Sequence, residues 1–114
     1  MRITSDRFED ETYRCYGCSE DIKTEDVNDQ TWECDICNGK IKIDIGRTQG
    51  GDLVRLRPNE VTEHDHVFDR HTKEFHVVKG STRNNNGMYN IGVAGHGSVK
   101  VAEDEFVDCM WRDQ

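Results

Sequence analysis

The amino-acid sequence predicts a mostly β protein built from two small parts. Of its 114 residues, 17 are Val or Ile and only two are Leu. β-Branched side chains favour strands, whereas Leu is typical of helical cores. Short stretches that alternate apolar and polar residues are separated by Gly-rich turns, a pattern of antiparallel sheets. The length suits one ordinary domain or two very small ones. These observations argue against a helical bundle.

Four of the five cysteines form two C-x2-C pairs that are fifteen residues apart. An odd number of cysteines argues against a purely paired disulfide framework. Two cysteines three positions apart on a tight turn can direct both sulfurs at one ion about 2.3 Å away, and two such turns complete a tetrahedron. We expect Gly17 and Gly39 to let the backbone tighten at these turns. The spacing therefore predicts a metal site formed by Cys15, Cys18, Cys34 and Cys37.

Short strands are expected to flank the pairs, at residues 12–14 and 30–33 before them and at 40–45 after them, with a loop at 24–28. Over residues 12–45 the chain resembles the zinc-ribbon superfamily, through the four cysteines and the aromatic residue two before each pair, Tyr13 and Trp32. The resemblance implies one structural Zn²⁺ between β-hairpins. Four thiolates leave no open position for catalysis. The resemblance implies no single function.

Three alternatives to zinc remain for these cysteines. Rubredoxin-like iron is suggested by the Tyr and Trp that precede the pairs, but Asp35 stands where rubredoxins usually carry Pro, and a dense aromatic core is lacking. Disulfides are disfavoured in a cytosolic protein. Unligated thiols are the third alternative. We expect zinc as the cofactor, with iron as the minor alternative.

The second part begins after a Gly-rich turn, so we place the domains at 1–46, a zinc ribbon with a short acidic lead, and at 51–114, a small antiparallel barrel. Strands are expected at 53–56, 75–78, 88–94, 98–102 and 106–111, a His-rich loop at 59–74 and a further loop at 80–87. Over residues 51–111 this order resembles SH3-like barrels. The likeness rests on the Gly-Asp-Leu-Val-Arg-Leu opening from Gly51, the hairpin around Gly95-His96-Gly97 and the acidic turn after Ala102.

The His-rich loop offers a second candidate metal site among neighbouring acids. Imidazole and carboxylate groups bind Zn²⁺, and an open water position would make such a site hydrolytic. The spacing fixes no geometry, however, so a solvated loop is the preferred interpretation. The candidate ligands are His64, His66, His71 and His76. Cys109 is expected to be a small buried apolar residue.

Charge is distributed unevenly along the chain. The net charge is 15 − 23 = −8, and residues 1–39 carry 4 − 11 = −7. Two segments, 40–57 and 77–102, are each +3. An acidic field opposes tight, sequence-independent binding to phosphate, so a protein partner is favoured over nucleic acid. The candidate contact residues are Lys40, Lys42, Arg47, Arg55, Arg57, Arg83, Asn84, Asn85 and Tyr89.

No catalytic motif is found, so we expect no enzyme. The sequence favours a zinc-binding accessory protein that docks on a protein of the transcription, translation or replication machinery, as an inhibitor or regulator; the machinery is suggested by the fold resemblance alone. The alternatives are direct nucleic-acid binding through 40–57 and 77–102, or a metalloenzyme at the His-rich loop. No apolar run approaches the roughly 20 residues that span a bilayer, and the polar start is unlike a signal peptide. We expect a complete cytoplasmic protein without a membrane partner.

Overall fold

The computed structural model describes residues 1–4, 7–8, 10–46 and 52–112. Within these ranges nine strands form one antiparallel sheet, in the order β2-β1-β3-β4-β9-β5-β6-β7-β8. The prediction of a mostly β fold is confirmed, whereas the division into a ribbon and an SH3-like barrel stays a prediction. The strands are β1 (Thr12–Cys15), β2 (Glu20–Ile22), β3 (Ile41–Asp44), β4 (Leu53–Leu56), β5 (His66–Asp69), β6 (Glu74–Arg83), β7 (Met88–Val93), β8 (Gly97–Ala102) and β9 (Val107–Met110).

Two short 3-10 helices, Thr24–Asp26 and Pro58–Glu60, are the helical elements of the described ranges. Neither is long or apolar enough to cross a membrane. The first lies in the segment that was expected to be a loop between the cysteine pairs. The second begins at the proline that ends β4, which fits the preference of Pro for the first helical position.

Strands β4 and β9 lie at the centre of the sheet, and both of their faces are buried. Successive side chains of a strand point to opposite faces, and the two faces here contact different apolar clusters. The first core comprises Ile3, Val54, Leu56, Val61, Val67, Val78, Ile91, Val93, Val101, Val107 and Cys109. The second core comprises Tyr13, Val27, Trp32, Ile41, Ile43, Ile45, Leu53, Phe68 and Phe106. The expectation that Cys109 is a buried apolar residue is confirmed.

The second core contains residues from both sides of the predicted domain boundary. Ile43 of β3 is opposite Leu53 of β4, so the sheet continues from one side to the other. Phe68 and Phe106 pack into the same cluster as Tyr13. The connecting residues 47–51 lie outside the described ranges, and with them most of the predicted Gly-rich turn.

The first residues of the chain pack against its C-terminal part. Ile3 is fully buried in the first core, and its carbonyl oxygen accepts a hydrogen bond from the Asp108 amide (2.8 Å). Thr4 forms a β-bridge with Val107. The start of the chain was expected to be an acidic lead of the ribbon. Its one large aliphatic residue instead completes a core formed mainly by residues after 53.

The strand expected at 30–33 is wrong. Trp32 has a φ of 52°, which a strand does not allow, and its amide donates to the Asn28 carbonyl (2.8 Å) in a turn. Only Glu33 forms an isolated bridge, with Lys40. The strand β2 is not among the predicted strands, because its Glu-Asp-Ile sequence carries no apolar alternation.

The His-rich segment 59–74 was expected to be a loop, but it contains β5 (His66–Asp69). Val67 and Phe68 are both buried, on opposite faces, so the strand shows no alternation of apolar and polar residues. The loop expected at 80–87 is wrong over residues 80–83, because β6 continues to Arg83 beyond an irregularity between Val78 and Gly80. Residues 84–87 form the turn before β7.

Candidate metal centre

Four cysteine sulfurs lie together at the end of the sheet that carries β1 and β2. The Sγ atoms of Cys15 and Cys37 are 3.4 Å apart, and those of Cys18 and Cys34 are 4.0 Å apart. All four lie within 4.8 Å of one another. A tetrahedral zinc–thiolate site with bonds near 2.3 Å has sulfurs about 3.8 Å apart. The four residues therefore form a metal site compatible with zinc, as the spacing predicted.

The two cysteine turns, which we call knuckles (residues 15–19 and 34–38), have a backbone conformation in common. The residue after the second cysteine of each is left-handed: Ser19 has a φ of 54° and Asn38 a φ of 61°. Amide groups also point at the sulfurs. The Cys18 amide lies 3.3 Å from the Cys15 Sγ, and the Ile36 amide lies 3.4 Å from the Cys34 Sγ. Such donors stabilise a thiolate, the form that binds a metal.

Gly17 and Gly39 have a different role from the one expected. Neither is among the described glycines with positive φ. A Cβ at Gly17 would lie 3.1 Å from the Cys37 Sγ, and a Cβ at Gly39 would lie 3.3 Å from the same atom. These glycines therefore leave room for one sulfur rather than tighten the backbone.

Hydrogen bonds within the cluster give the cysteines different pKa values. Backbone amides of Cys37 and Ile36 lower the pKa of Cys34 to about 7. Hydrogen bonds that the Cys18 thiol donates to the sulfurs of Cys15 and Cys37 raise the pKa of Cys18 to about 12. Of these two thiols, that of Cys34 therefore ionises more readily. Since the cluster consists of sulfur alone, it suits Zn²⁺ or iron and offers an ion four ligands.

The structure does not bring the four candidate histidines together. His66 is opposite Val77, and His76 is opposite Val67; adjacent residue pairs of a ladder face opposite sides of the sheet. His64 is 73% exposed in the turn before β5, and His71 lies in the turn after it. In the described ranges, the four cysteines are the one group of three or more metal-ligating side chains with ligand atoms this close. His76 instead contacts the ring of His96, with centroids 4.4 Å apart.

The cations of segment 40–57 are engaged within the molecule. Lys40 pairs with Glu33 (3.2 Å) and Glu60 (2.9 Å), and Lys42 pairs with Asp52 (3.2 Å).

Arg57 donates to the carbonyl oxygens of Asp104 (3.1 Å) and Gln30 (3.2 Å), and it lies 4.4 Å above the ring of Phe106. Arg47 falls outside the described residues. The described cations of this segment are thus held by internal partners.

Arg55 was expected at a surface contact, and this expectation is wrong because the residue is completely buried. Its guanidinium donates to Glu11 and to Asp108 (3.0 Å) and lies 4.2 Å above the ring of Trp32. Arg70 donates to the second Asp108 oxygen (2.9 Å). An arginine in the second position of an otherwise apolar Val-Arg-Leu stretch was the available signal for burial.

This buried network changes the acidity of its members. Burial alone would raise the pKa of Glu11, but the Arg55 guanidinium, the Phe8 amide and the Tyr13 hydroxyl together lower it. Burial and the hydrogen bond to Glu11 raise the pKa of Tyr13 to about 12. The network therefore keeps Glu11 charged and Tyr13 neutral around neutral pH.

The remaining predicted contact residues lie at the turn between β6 and β7. Arg83 is opposite Tyr89 and lies near Glu103, at 3.6 Å, with its side chain largely exposed. The Asn84 side chain accepts hydrogen bonds from the amides of Asn86 (2.9 Å) and Met88 (3.2 Å). Asn84 thus shapes the turn, whereas Asn85 is exposed.

No protein-family model, curated protein or solved structure matches the chain. The likeness to zinc ribbons therefore rests on the four-cysteine site itself.

Proposed function

We propose that this chain is a non-enzymatic, zinc-binding accessory protein that docks on a basic protein of the nucleic-acid machinery and acts on it as an inhibitor or regulator. The role proposed for zinc is structural. Four thiolates saturate a tetrahedral ion, which leaves no position for a water or substrate. With zinc bound, four thiolates and the ion sum to −2, which adds to the acidic charge of the N-terminal residues.

The main support for a protein partner over nucleic acid is that Lys40, Lys42 and Arg55 already form ion pairs within the molecule. A phosphate backbone is bound mainly by cations that exchange counterions for phosphates. These three cations already face carboxylates, so each would have to leave a partner before it could contact phosphate. The +3 of segment 40–57 therefore offers little to a nucleic acid, while the acidic N-terminal residues repel it.

Direct nucleic-acid binding is kept as a second candidate because of segment 77–102. Lys79, Arg83 and Lys100 are all exposed there. Lys100 is opposite Asn90 and Arg83 is opposite Tyr89, in adjacent rows of the ladder. Their side chains leave opposite faces of the sheet. Three cations divided between two faces of the sheet provide little positive charge for binding the phosphates of a nucleic acid.

A gel-shift titration of zinc-loaded protein against random-sequence duplex DNA and RNA at physiological salt separates the two candidates. We expect binding no tighter than the roughly micromolar limit of non-specific association. Submicromolar affinity for generic duplex that is lost in Lys79→Ala/Arg83→Ala/Lys100→Ala would establish the second candidate and overturn the first.

A pull-down with mass spectrometry, run with and without nuclease, tests the partner directly. We expect the same basic protein to be captured under both conditions. Capture that disappears after nuclease treatment would show that nucleic acid bridges the two proteins, and would contradict the proposal.

A further inference from the structure

A groove of about 340 Å³ lies beside the metal centre, between β2 and the second knuckle. Four apolar side chains line it: Ile22, Val27, Ile36 and Ile41. Val27 and Ile41 belong to the second core, so the floor is fixed by the fold. Ile36 is 82% exposed at the tip of the knuckle. The groove thus joins a rigid apolar floor to an isoleucine that the fold leaves in solvent.

The rim of this groove is acidic. Two of its carboxylates have internal partners: Asp21 pairs with Arg14, and Glu33 pairs with Lys40. The described residues give Glu20 and Asp26 no ion-pair partner. The lining of the groove contains one ammonium group, that of Lys23, and five carboxylates: Glu20, Asp21, Asp26, Glu33 and Asp35.

Asp35 accepts a hydrogen bond from the neutral amide of Asn28 (3.0 Å), so its charge is not cancelled. Glu20, Asp26 and Asp35 therefore leave a net negative charge around an apolar floor. The sulfurs of the metal centre lie at the same groove, since Cys15, Cys18 and Cys34 also line it.

We propose that this groove binds an arginine-containing linear segment of the partner protein, an inference that rests on the proposed function. The aliphatic part of an arginine packs on Ile22 and Ile36, and its guanidinium faces the carboxylates of Glu20, Asp26 and Asp35. Long cationic side chains bury their stems on apolar surface while the charged head stays near water. Guanidinium also pairs with carboxylates in a two-bond geometry that lysine does not reproduce.

Other occupants fit the groove less well. A phosphate group would be repelled by the rim. A purely apolar segment would desolvate the carboxylates without providing them with partners, which is unfavourable. Only a ligand that is both aliphatic and cationic matches the floor and the rim together.

Fluorescence anisotropy on the full zinc-loaded chain, at about 150 mM salt, tests this inference. The probes are two labelled ten-residue peptides, one alternating Gly and Arg and the other alternating Gly and Glu. We expect the Arg peptide to bind and the Glu peptide not to bind. Asp26→Asn/Asp35→Asn should raise the Kd of the Arg peptide about tenfold, which corresponds to about 1.4 kcal/mol. Ile36→Ser should raise it several-fold.

The matched control is Glu63→Gln/Glu74→Gln, which removes the same charge from two exposed carboxylates outside the groove lining. We expect its Kd to stay within about twofold of the wild-type value, because neither carboxylate lines the groove. Zinc content and circular dichroism of every variant establish that it is folded. Equal weakening by both double variants, or an unchanged Kd in Ile36→Ser, would overturn the inference.

The failure of this inference can be told from the failure of the proposed function. If a partner captured independently of nuclease binds Asp26→Asn/Asp35→Asn as well as it binds wild type, the docking function stands and the groove is excluded. If generic duplex binds with submicromolar affinity, the docking function fails whatever the peptides do.

Discussion

The two ends of the sheet are held together in different ways. At the β6–β8 end, Ile91, Val93 and Val101 belong to the first core and are each at most 1% exposed. At the other end the knuckles project beyond the second core. Ile36 is exposed and Tyr16 is half-exposed against the ring of Trp111, and the two knuckles meet at the four sulfurs.

This difference shows where a small protein has a cysteine cluster that could hold an ion instead of a larger apolar core. A short chain buries too little apolar surface to enclose every turn. The two cores bury the central strands, and the metal centre lies where burial is incomplete: Cys15 and Cys34 are buried, whereas Cys37 is exposed. Arg55 connects the two regions, because it contacts Glu11 and Trp32 before residue 46 and Asp108 of β9 near the end of the described chain.

The largest effect is expected from loss of the metal. Structural zinc sites in small domains contribute apparent free energies of about 10–16 kcal/mol. Purified protein should carry one equivalent of zinc, and Cys34→Ser should release it. Residues 12–45 should then lose amide-exchange protection, while β6, β7 and β8 keep theirs.

Cys109→Ala is the matched control, since Cys109 belongs to the first core. It should keep one equivalent of zinc by elemental analysis. Protein that contains no zinc, or mostly iron, would contradict the assignment of the ion. Loss of protection along the whole sheet in Cys34→Ser would contradict the independence of the two ends.

The next effect concerns the buried network of Arg55, Glu11 and Asp108, which we call the junction because it connects the two ends. Arg55→Ala leaves the buried carboxylate of Glu11 without a guanidinium and leaves Asp108 with Arg70 alone, which costs about 3–5 kcal/mol. Arg14→Ala removes a solvent-exposed pair with Asp21 and should cost no more than about 1 kcal/mol. Urea denaturation of the zinc-loaded variants measures both. Equal, small losses would mean that the network contributes no more than a surface ion pair.

A third comparison uses the same substitution at the two ends. Ile91→Ala opens a cavity in the first core and should lower the free energy of unfolding by about 2–5 kcal/mol. Ile36→Ala changes an exposed side chain and should stay within about 0.5 kcal/mol of wild type. The urea midpoints of both variants decide the comparison. A large loss in Ile36→Ala would show that the knuckle tip packs against the fold.

The metal centre was predictable because its chemistry is local. Two C-x2-C turns already fix which sulfurs meet, and the apolar stretch at Leu53–Leu56 indicates a strand by itself. The left-handed Trp32 was not predictable, since its conformation depends on a turn bond to Asn28 and on packing in the second core.

Long-range contacts account for the other errors. Val67 and Phe68 are adjacent and both buried because two cores enclose β5, which removes the alternation that reveals a strand. Arg55 was read as a surface cation because its partners, Glu11 and Asp108, are 44 and 53 residues away along the chain. Charge patterns in a sequence do not show which cations will meet buried acids.

The smallest effect is a pH dependence of the free energy of unfolding that originates at Glu11 in the buried network of Arg55. The pKa of Glu11 in the folded protein lies below its ordinary value of 4.5 because the Arg55 guanidinium, the Phe8 amide and the Tyr13 hydroxyl outweigh its burial. The unfolded chain therefore binds a proton at Glu11 before the folded protein does. The stability that this carboxylate contributes is complete above about pH 4.5 and is lost as the pH falls through the lowered folded pKa. Urea midpoints between pH 7 and pH 3 should therefore fall more steeply in wild type than in Glu11→Gln, while Glu25→Gln, an exposed carboxylate, should follow wild type. Acid also releases the metal from thiolates, but that loss is common to all three proteins, so the difference in slope reports Glu11. Parallel curves for wild type and Glu11→Gln would show that the carboxylate titrates alike in the folded and unfolded chains.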